Sequence, residues 1–206
     1  MSLIIGSGDV ARLISGKKTK GYRELWKKFI DTEVPYYNAL ASPIDALRTG
    51  AILEIPYLNF LGDDYYPQVK VDCESQNVLR VSLDFAKFMK GKLVDFEELK
   101  TIFLTDFIEI IRPMKEKDQT VQQDFIKSKF KKNFFQIQSQ LLATGLESAK
   151  LSFLAVESYD DDENAGRIIN ENDVVKFEIK RDAEAVEFIS SRLVPFQYVK
   201  VHFDQK

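Results

Sequence analysis

Residues 68–103 read as three β-strands in immediate succession, and no other stretch of the 206-residue chain restricts its fold so tightly. "QVKVDCE" (68–74), "NVLRVSLDF" (77–85) and "KLVDFEELKTIF" (92–103) are rich in β-branched and aromatic residues. Only "SQN" and "MKGK" separate them. Connections that short join antiparallel neighbours and leave no room for a crossover helix, so the prediction is a three-stranded meander, with Gly91 supplying positive φ at the second turn.

A meander needs a partner to cover its apolar face, and the flanking sequence supplies helices. "GDVARLISG" and "GYRELWKKFI" read as short helices, the second with Leu25, Trp26 and Phe29 on one side. In "SPIDALRTGAILEIPYLNFLG", Ser42 is the expected N-cap, with Pro43 in the first turn and Asp45 favourable to the helix dipole. Leu47, Gly50, Ala51 and Glu54 then share one stripe, expected to face the interior. "FIEIIRP" reads as helical, and a long helix is expected from about Thr120 to Thr144, ending at Gly145. "AKLSFLAVESY" (149–159) reads as a strand and the acidic "ESYDDDEN" beyond it as a loop or hairpin tip. "DVVKFEIKRD" (173–182) is a strand, "AEAVEFISSRLVPF" (183–196) a helix, and "YVKVHF" strand-like. With 45% hydrophobic residues, one mixed domain over residues 1–206 has enough apolar material for its core.

Rare residues exclude much chemistry. One cysteine, Cys73, rules out an intrachain disulfide and cysteine-ligated zinc or iron–sulfur centres, and one histidine, His202, rules out paired-histidine zinc hydrolases. Cys73 reads as a small buried hydrophobe. An enzyme built from this chain works with carboxylates, lysines, hydroxyls and amides, the inventory of magnesium-dependent phosphate chemistry. No apolar run reaches the roughly 20 residues that span a bilayer and no signal peptide is evident, so a cytoplasmic protein without a membrane partner is expected. The net charge is −3, but lysines gather in "SGKKTKGYRELWKK" (15–28) and "KSKFKK" (127–132), the pattern of a phosphate-backbone contact surface.

The third strand carries the chemistry. "VDFEELKT" (94–101) places ionisable groups on both faces, with Glu98 and Lys100 two residues apart on one of them. Asp84 ends the neighbouring strand and Glu54 projects from the helix before it, so three carboxylates and a lysine can converge. Such a set binds magnesium through oxygen, with the lysine orienting an attacking water. Glu97 and Asp95 compete for the same role on spacing alone. "GSGDVA" (6–11) also fits a dinucleotide fingerprint with Asp31 beyond it, but "YRELWKKFI" has helical periodicity where that fold requires a strand.

Asp84 followed by Glu98-Leu99-Lys100 resembles the core of the PD-(D/E)XK nucleases, in particular the branch of lambda-type phage exonucleases and YqaJ-like viral recombinases. "IIGSGDVARLI" (4–14), "GAILE" (50–54), "SLD" (82–84) and "FFQIQSQLLATG" (134–145) are similar, in order, to that family's further motifs. The resemblance implies a restriction-endonuclease-like mixed β-sheet flanked by helices and a DNA exonuclease of a phage or prophage recombination module. It implies Mg2+, replaceable by Mn2+, held by Asp84, Glu98, the Leu99 carbonyl and Glu54, with Lys100 positioning the water. Gln136 rather than Gln138 completes that shell. Ser7 and Ser82 match positions that hold the 5′ phosphate, an arginine of the relatives' preceding segment having no counterpart here, and Lys131 belongs to the basic approach. The partners implied are DNA, a single-strand annealing protein and further copies of the chain, a homo-oligomer with a trimer as first expectation. A catalytically silent DNA-binding or scaffolding protein and a structure-specific endonuclease are the alternatives on the same fold.

Overall fold

The computed structural model describes residues 4–30 and 39–204, with side chains to residue 200. The elements are β1 (Ile5–Gly6), α1 (Val10–Leu13), α2 (Lys20–Ile30), α3 (Asp45–Leu61), β2 (Tyr65–Asp72), β3 (Leu79–Met89) and β4 (Lys92–Phe103). The short helical turn α4 (Leu104–Asp106), α5 (Gln119–Lys129), α6 (Lys131–Thr144), β5 (Ser148–Val156), α7 (Asp161–Ala165), β6 (Val174–Lys180) and α8 (Ala183–Asp204) follow.

The meander forms as the sequence predicts, β2 antiparallel to β3 and β3 to β4. Lys90 and Gly91, both at positive φ, make the two-residue turn between β3 and β4, the geometry whose twist matches that of the strands it joins. β4 then runs parallel to β5, β5 antiparallel to β6, and β1 adds parallel to β3, giving a mixed six-stranded sheet. The β3–β4 pairing stops at Phe85↔Glu97. Beyond it the strands part: β4 continues against β5 while the start of β3 takes β1. This fork positions the site.

The larger core lies between the sheet and α1, α2, α6 and α8, and a smaller one, around Leu53, Tyr57, Phe85, Leu99 and Leu154, lies under α3. α2 buries Tyr22, Leu25 and Phe29, and Trp26 stacks on Phe196 of α8 with ring centroids 4.0 Å apart. Phe29 meets the same ring edge-on at 5.0 Å. Because Phe196 is fully buried and holds α2 against α8, Phe196→Ala is expected to cost about 3–5 kcal/mol, read as a fall in urea-unfolding free energy at unchanged m.

Four elements depart from expectation. The long helix is two, α5 and α6, broken at Phe130 (φ −117°, ψ 43°), whose ring packs on Phe153 of the sheet; tertiary packing overrides an unbroken helical pattern. "YVKVHF" is the end of α8, not a strand: its period-2 alternation is only six residues long and is absorbed by the helix already packed through Phe196. The acidic stretch is a short helix, α7, capped by Asp160 and tied to α3 through Arg48–Asp161 at 2.7 Å. Ser42 is not the N-cap of α3; Ile44 is, and the Ser42 hydroxyl accepts from the Ile44 N–H. "FIEIIRP" is helical in an unusual form, a π-turn over Phe107–Ile111 followed by a 3-10 turn. Cys73 is buried and free. Asp31 lies outside the described residues.

Candidate active site

The fork leaves backbone groups of β3 and β4 without each other, and side chains take them. Asp84 Oδ2 accepts the Leu99 N–H at 3.0 Å, and the amide of Gln140 donates to the Ser82 carbonyl at 2.9 Å. Glu98, the residue before Leu99 on β4, is buried, with 1% of its surface exposed, and every oxygen is engaged. Oε1 accepts from Lys100 Nζ at 2.6 Å and Gln136 Nε2 at 2.5 Å; Oε2 accepts from Gln140 Nε2 at 2.6 Å. Glu54 reaches the group from α3 and accepts from Gln68 Nε2 at 2.8 Å.

The α3 stripe expected to face the interior does something else. Leu47, Gly50, Ala51 and Glu54 line a cleft of about 360 Å³ together with Asp84, Leu99, Lys100 and Thr101. The face of α3 turned to the core carries Thr49, Leu53, Pro56 and Tyr57 instead. Gly50 sits where an added Cβ would come 4.0 Å from the Thr101 hydroxyl, so the cleft wall is close to the helix backbone there.

Charge is concentrated. Burial, then the charge of Glu98, pushes the Asp84 carboxyl well above the usual carboxylate range, and burial with Glu98 pushes Glu54 up against the opposing bond from Gln68. Burial works against the Lys100 ammonium, but Glu98, Asp84 and Glu54 outweigh it and hold its pKa above the ordinary lysine value. The surrounding carboxylates thus favour the charged form of Lys100. Three carboxylates face one ammonium, an excess of negative charge in a desolvated place.

The competing acids of β4 are spoken for elsewhere. Glu97 is fully buried on the α3 side, where it accepts from Tyr57, Ser152 and Lys176. Asp95 pairs with Lys150 and Tyr65. Gln138 is also committed, donating to the Lys180 carbonyl and accepting from the Asp182 N–H, so Gln136 is the glutamine of that pair that meets Glu98. Sequence reasoning did not single out Gln140. Its position, one helical turn after Gln136 on α6, was the available signal. Gln68, too, has no motif to announce it.

A second cavity, of about 330 Å³, lies beside the start of β3 and is lined by Ser7, Gly8, Ser82, Lys28, Lys70 and Arg80 together with Asp9, which pairs with Lys28, while Arg80 pairs with Asp72. Ser7 and Ser82 thus share a wall, as the resemblance pairs them. Lys131 is not in it; its ammonium lies over the Phe135 ring. The two basic stretches do meet, for Lys28 and Lys132 line one groove with Arg12, while Lys127 is paired with Asp182.

Mg2+ is an ion for hard oxygen donors, and Asp84, Glu54 and Glu98 supply them with their charge unbalanced, so the donor set fits. Among the described residues no three such side chains stand close enough to hold an ion as they are, and the Glu98 oxygens are taken by Lys100, Gln136 and Gln140. Loading the site requires these contacts to loosen.

No family model matches the chain, and no curated protein sequence does. Solved structures do. An alkaline exonuclease from Laribacter hongkongensis (LHK-Exo) superposes with a TM-score of 0.60 at 17% identity over 98% of this chain and 92% of that one. LHK-Exo in complex with dAMP gives 0.56 at 17% identity over 98% and 94%. A phage-related exonuclease from Haemophilus somnus 129PT gives 0.60 at 13% identity over 98% and 96%. The mixed six-stranded sheet flanked by helices matches the fold of these exonucleases, the one the sequence motifs imply.

Proposed function

We propose that this chain is a Mg2+-dependent DNA exonuclease acting in phage or prophage recombination. The observation that carries the reading is the fork itself: Asp84 is fixed on the Leu99 N–H with Glu98 and Lys100 on the residues either side. Asp84, Glu98, Glu54 and the Leu99 carbonyl are the groups that would hold Mg2+. When bound, the ion neutralises charge developing on the phosphoryl oxygens and makes water a competent nucleophile near neutral pH.

The remaining work belongs to side chains. Lys100, beside Glu98 on β4, would orient the attacking water. Glu54, made more basic by burial, is suited to accept a hydrogen bond from that water. Gln136 holds Glu98 in place. In the second cavity the hydroxyls of Ser7 and Ser82 and the ammonium of Lys70 suit a terminal phosphate, which would draw Lys28 from Asp9 and Arg80 from Asp72, and Lys131 and Lys132 extend the basic approach. The comparison structures being exonucleases supports the same reading.

The test is degradation of linear duplex DNA with Mg2+ or Mn2+ against an EDTA control, alongside covalently closed circles. Loss of linear DNA only, and only with metal, is the expected result. Cleavage of closed circles makes it an endonuclease, and cleavage of neither substrate removes the enzyme reading. A homo-oligomer, a trimer first, assisted by a single-strand annealing protein, completes the proposal; light scattering with and without DNA reads its state.

A further inference from the structure

Gln68 occupies a backbone position that residues other than glycine and asparagine adopt rarely. Its φ is 54°, in the left-handed region, although it follows Pro67 in the middle of β2. Register explains where the irregularity falls. β2 pairs with β3 at Pro67↔Phe85 and again at Val69↔Leu83, and the position skipped is Gln68 opposite Asp84. A local break in a strand re-aims a side chain, and here it turns the Gln68 amide toward two groups at once. Nε2 donates to Glu54 Oε2 at 2.8 Å, and Oε1 accepts from the Ser82 hydroxyl at 3.2 Å. The amide orientation is fixed by its partners, since a carboxylate only accepts and the hydroxyl has a proton to give.

Ser82 is therefore a junction. Its hydroxyl is held by Gln68, its carbonyl by Gln140, and Gln140 in turn holds Glu98 Oε2. A continuous chain of hydrogen bonds, Glu54–Gln68–Ser82–Gln140–Glu98, joins two carboxylates of the cleft through a residue that lines the neighbouring basic cavity. The Gln140 Oε1 atom is buried without a partner, so that amide has no competing bond to hold it elsewhere.

The geometry points to Gln68 as a positioning residue that couples the two cavities. While the basic cavity is empty, the Ser82 hydroxyl is spent on Gln68. A terminal phosphate entering it offers that hydroxyl a charged acceptor, a stronger partner than a neutral amide oxygen. Ser82 turns to the phosphate, and the Gln68 amide, released at one end, resettles on Glu54 alone. Occupancy of the terminal-phosphate cavity is in this way transmitted to the carboxylate cluster. The inference rests on the proposed reading of the cavity as a terminal-phosphate site.

The test exploits the sign this coupling imposes. Gln68→Gly is the main variant, because glycine accepts the left-handed backbone, and Gln68→Asn, which tolerates it and keeps an amide one methylene short, is the second. Binding of a short duplex carrying a 5′ phosphate or a 5′ hydroxyl is measured by fluorescence anisotropy in EDTA, where no turnover occurs. Removing the competing bond frees Ser82, so both variants are expected to bind the phosphorylated end about two- to tenfold more tightly and the hydroxyl end unchanged. With Mg2+, the same variants turn over more slowly at saturation, with no rise in KM, since Glu54 loses its donor. A merely structural Gln68 leaves phosphorylated-end binding equal or weaker in both variants, and that result overturns the coupling, as does a wild-type protein blind to the end group. A protein that binds ends but cleaves nothing defeats the nuclease reading alone, because the EDTA comparison still decides the role of Gln68.

Discussion

Asp84→Asn is expected to reduce metal-dependent cleavage at least about a thousandfold while raising the melting temperature of the metal-free protein. The loss follows from removing an anionic oxygen donor at nearly constant volume. The gain follows from the same charge. Asp84 is buried beside Glu98, and its carboxyl is pushed well above the ordinary range, so the native state holds that proton more tightly than the unfolded chain does. A raised carboxyl contributes stability that is fully present below the unfolded pKa and is lost as pH rises through the native one. The wild-type protein sheds it as pH rises. Asparagine has no proton to lose and its side-chain oxygen still accepts the Leu99 N–H. Thermal melts in EDTA should show the variant gaining on wild type as pH rises, at about 2–4 °C per kcal/mol for a chain of this length, with the difference closing in acid. Mg2+ should raise the wild-type Tm and leave the variant nearly unmoved. A variant that gains nothing on wild type as pH rises would mean that Asp84 is held by more than Leu99.

Glu97→Ala is expected to fail in the opposite way, costing about 3–5 kcal/mol of stability through a residue adjacent to the proposed metal ligand. Glu97 is fully buried and takes hydrogen bonds from Tyr57 on α3, Ser152 on β5 and Lys176 on β6, so alanine leaves a phenol, a hydroxyl and an ammonium without their acceptor. Lys176 also lies 5.5 Å from the Tyr57 ring centroid and 5.2 Å from that of Phe60, which ties the network to α3. Denaturant unfolding measures the loss. Glu97→Gln, which keeps the shape and one acceptor, should recover much of it, and at temperatures where either variant is folded, cleavage per folded molecule should persist. A thousandfold fall in that specific rate would place Glu97 in the chemistry instead.

That pair of neighbours also shows what a sequence can and cannot disclose. "VDFEELKT" announced a strand with ionisable groups on both faces, and alternation separates Glu97 from Glu98, but spacing alone does not say which face meets a metal. The order of Asp84, Glu98 and Lys100 was legible because strand and turn signals are local, and "MKGK" fixes the hairpin; the register at the site was not, because a bulge at Lys87 and Phe88 shifts the pairing by one residue before Asp84 comes level with Glu98. Gln140 and Gln68 were not legible, since each acts through a partner far away in the chain and one of them depends on a backbone irregularity that glutamine does not advertise. The break at Phe130 and the helical end of α8 escaped for a related reason: both are decided by aromatic packing across the sheet or between helices, in Phe130 against Phe153 and Phe196 against Trp26.

The irregularity in β2 has a second consequence, for self-association. β2 is an outer strand, and a flat outer strand invites another chain to extend the sheet. Pro67 brings no N–H to such a pairing and the left-handed Gln68 interrupts the run of backbone groups that an incoming strand has to match, with Lys70 and Asp72 adding charge beyond them. At the opposite margin the Lys180 N–H of β6 is already taken by Gln123 of α5. Strand-to-strand pairing of copies through β2 is therefore disfavoured, and crowding the chain at high concentration should not produce ribbon-like aggregates joined along that strand.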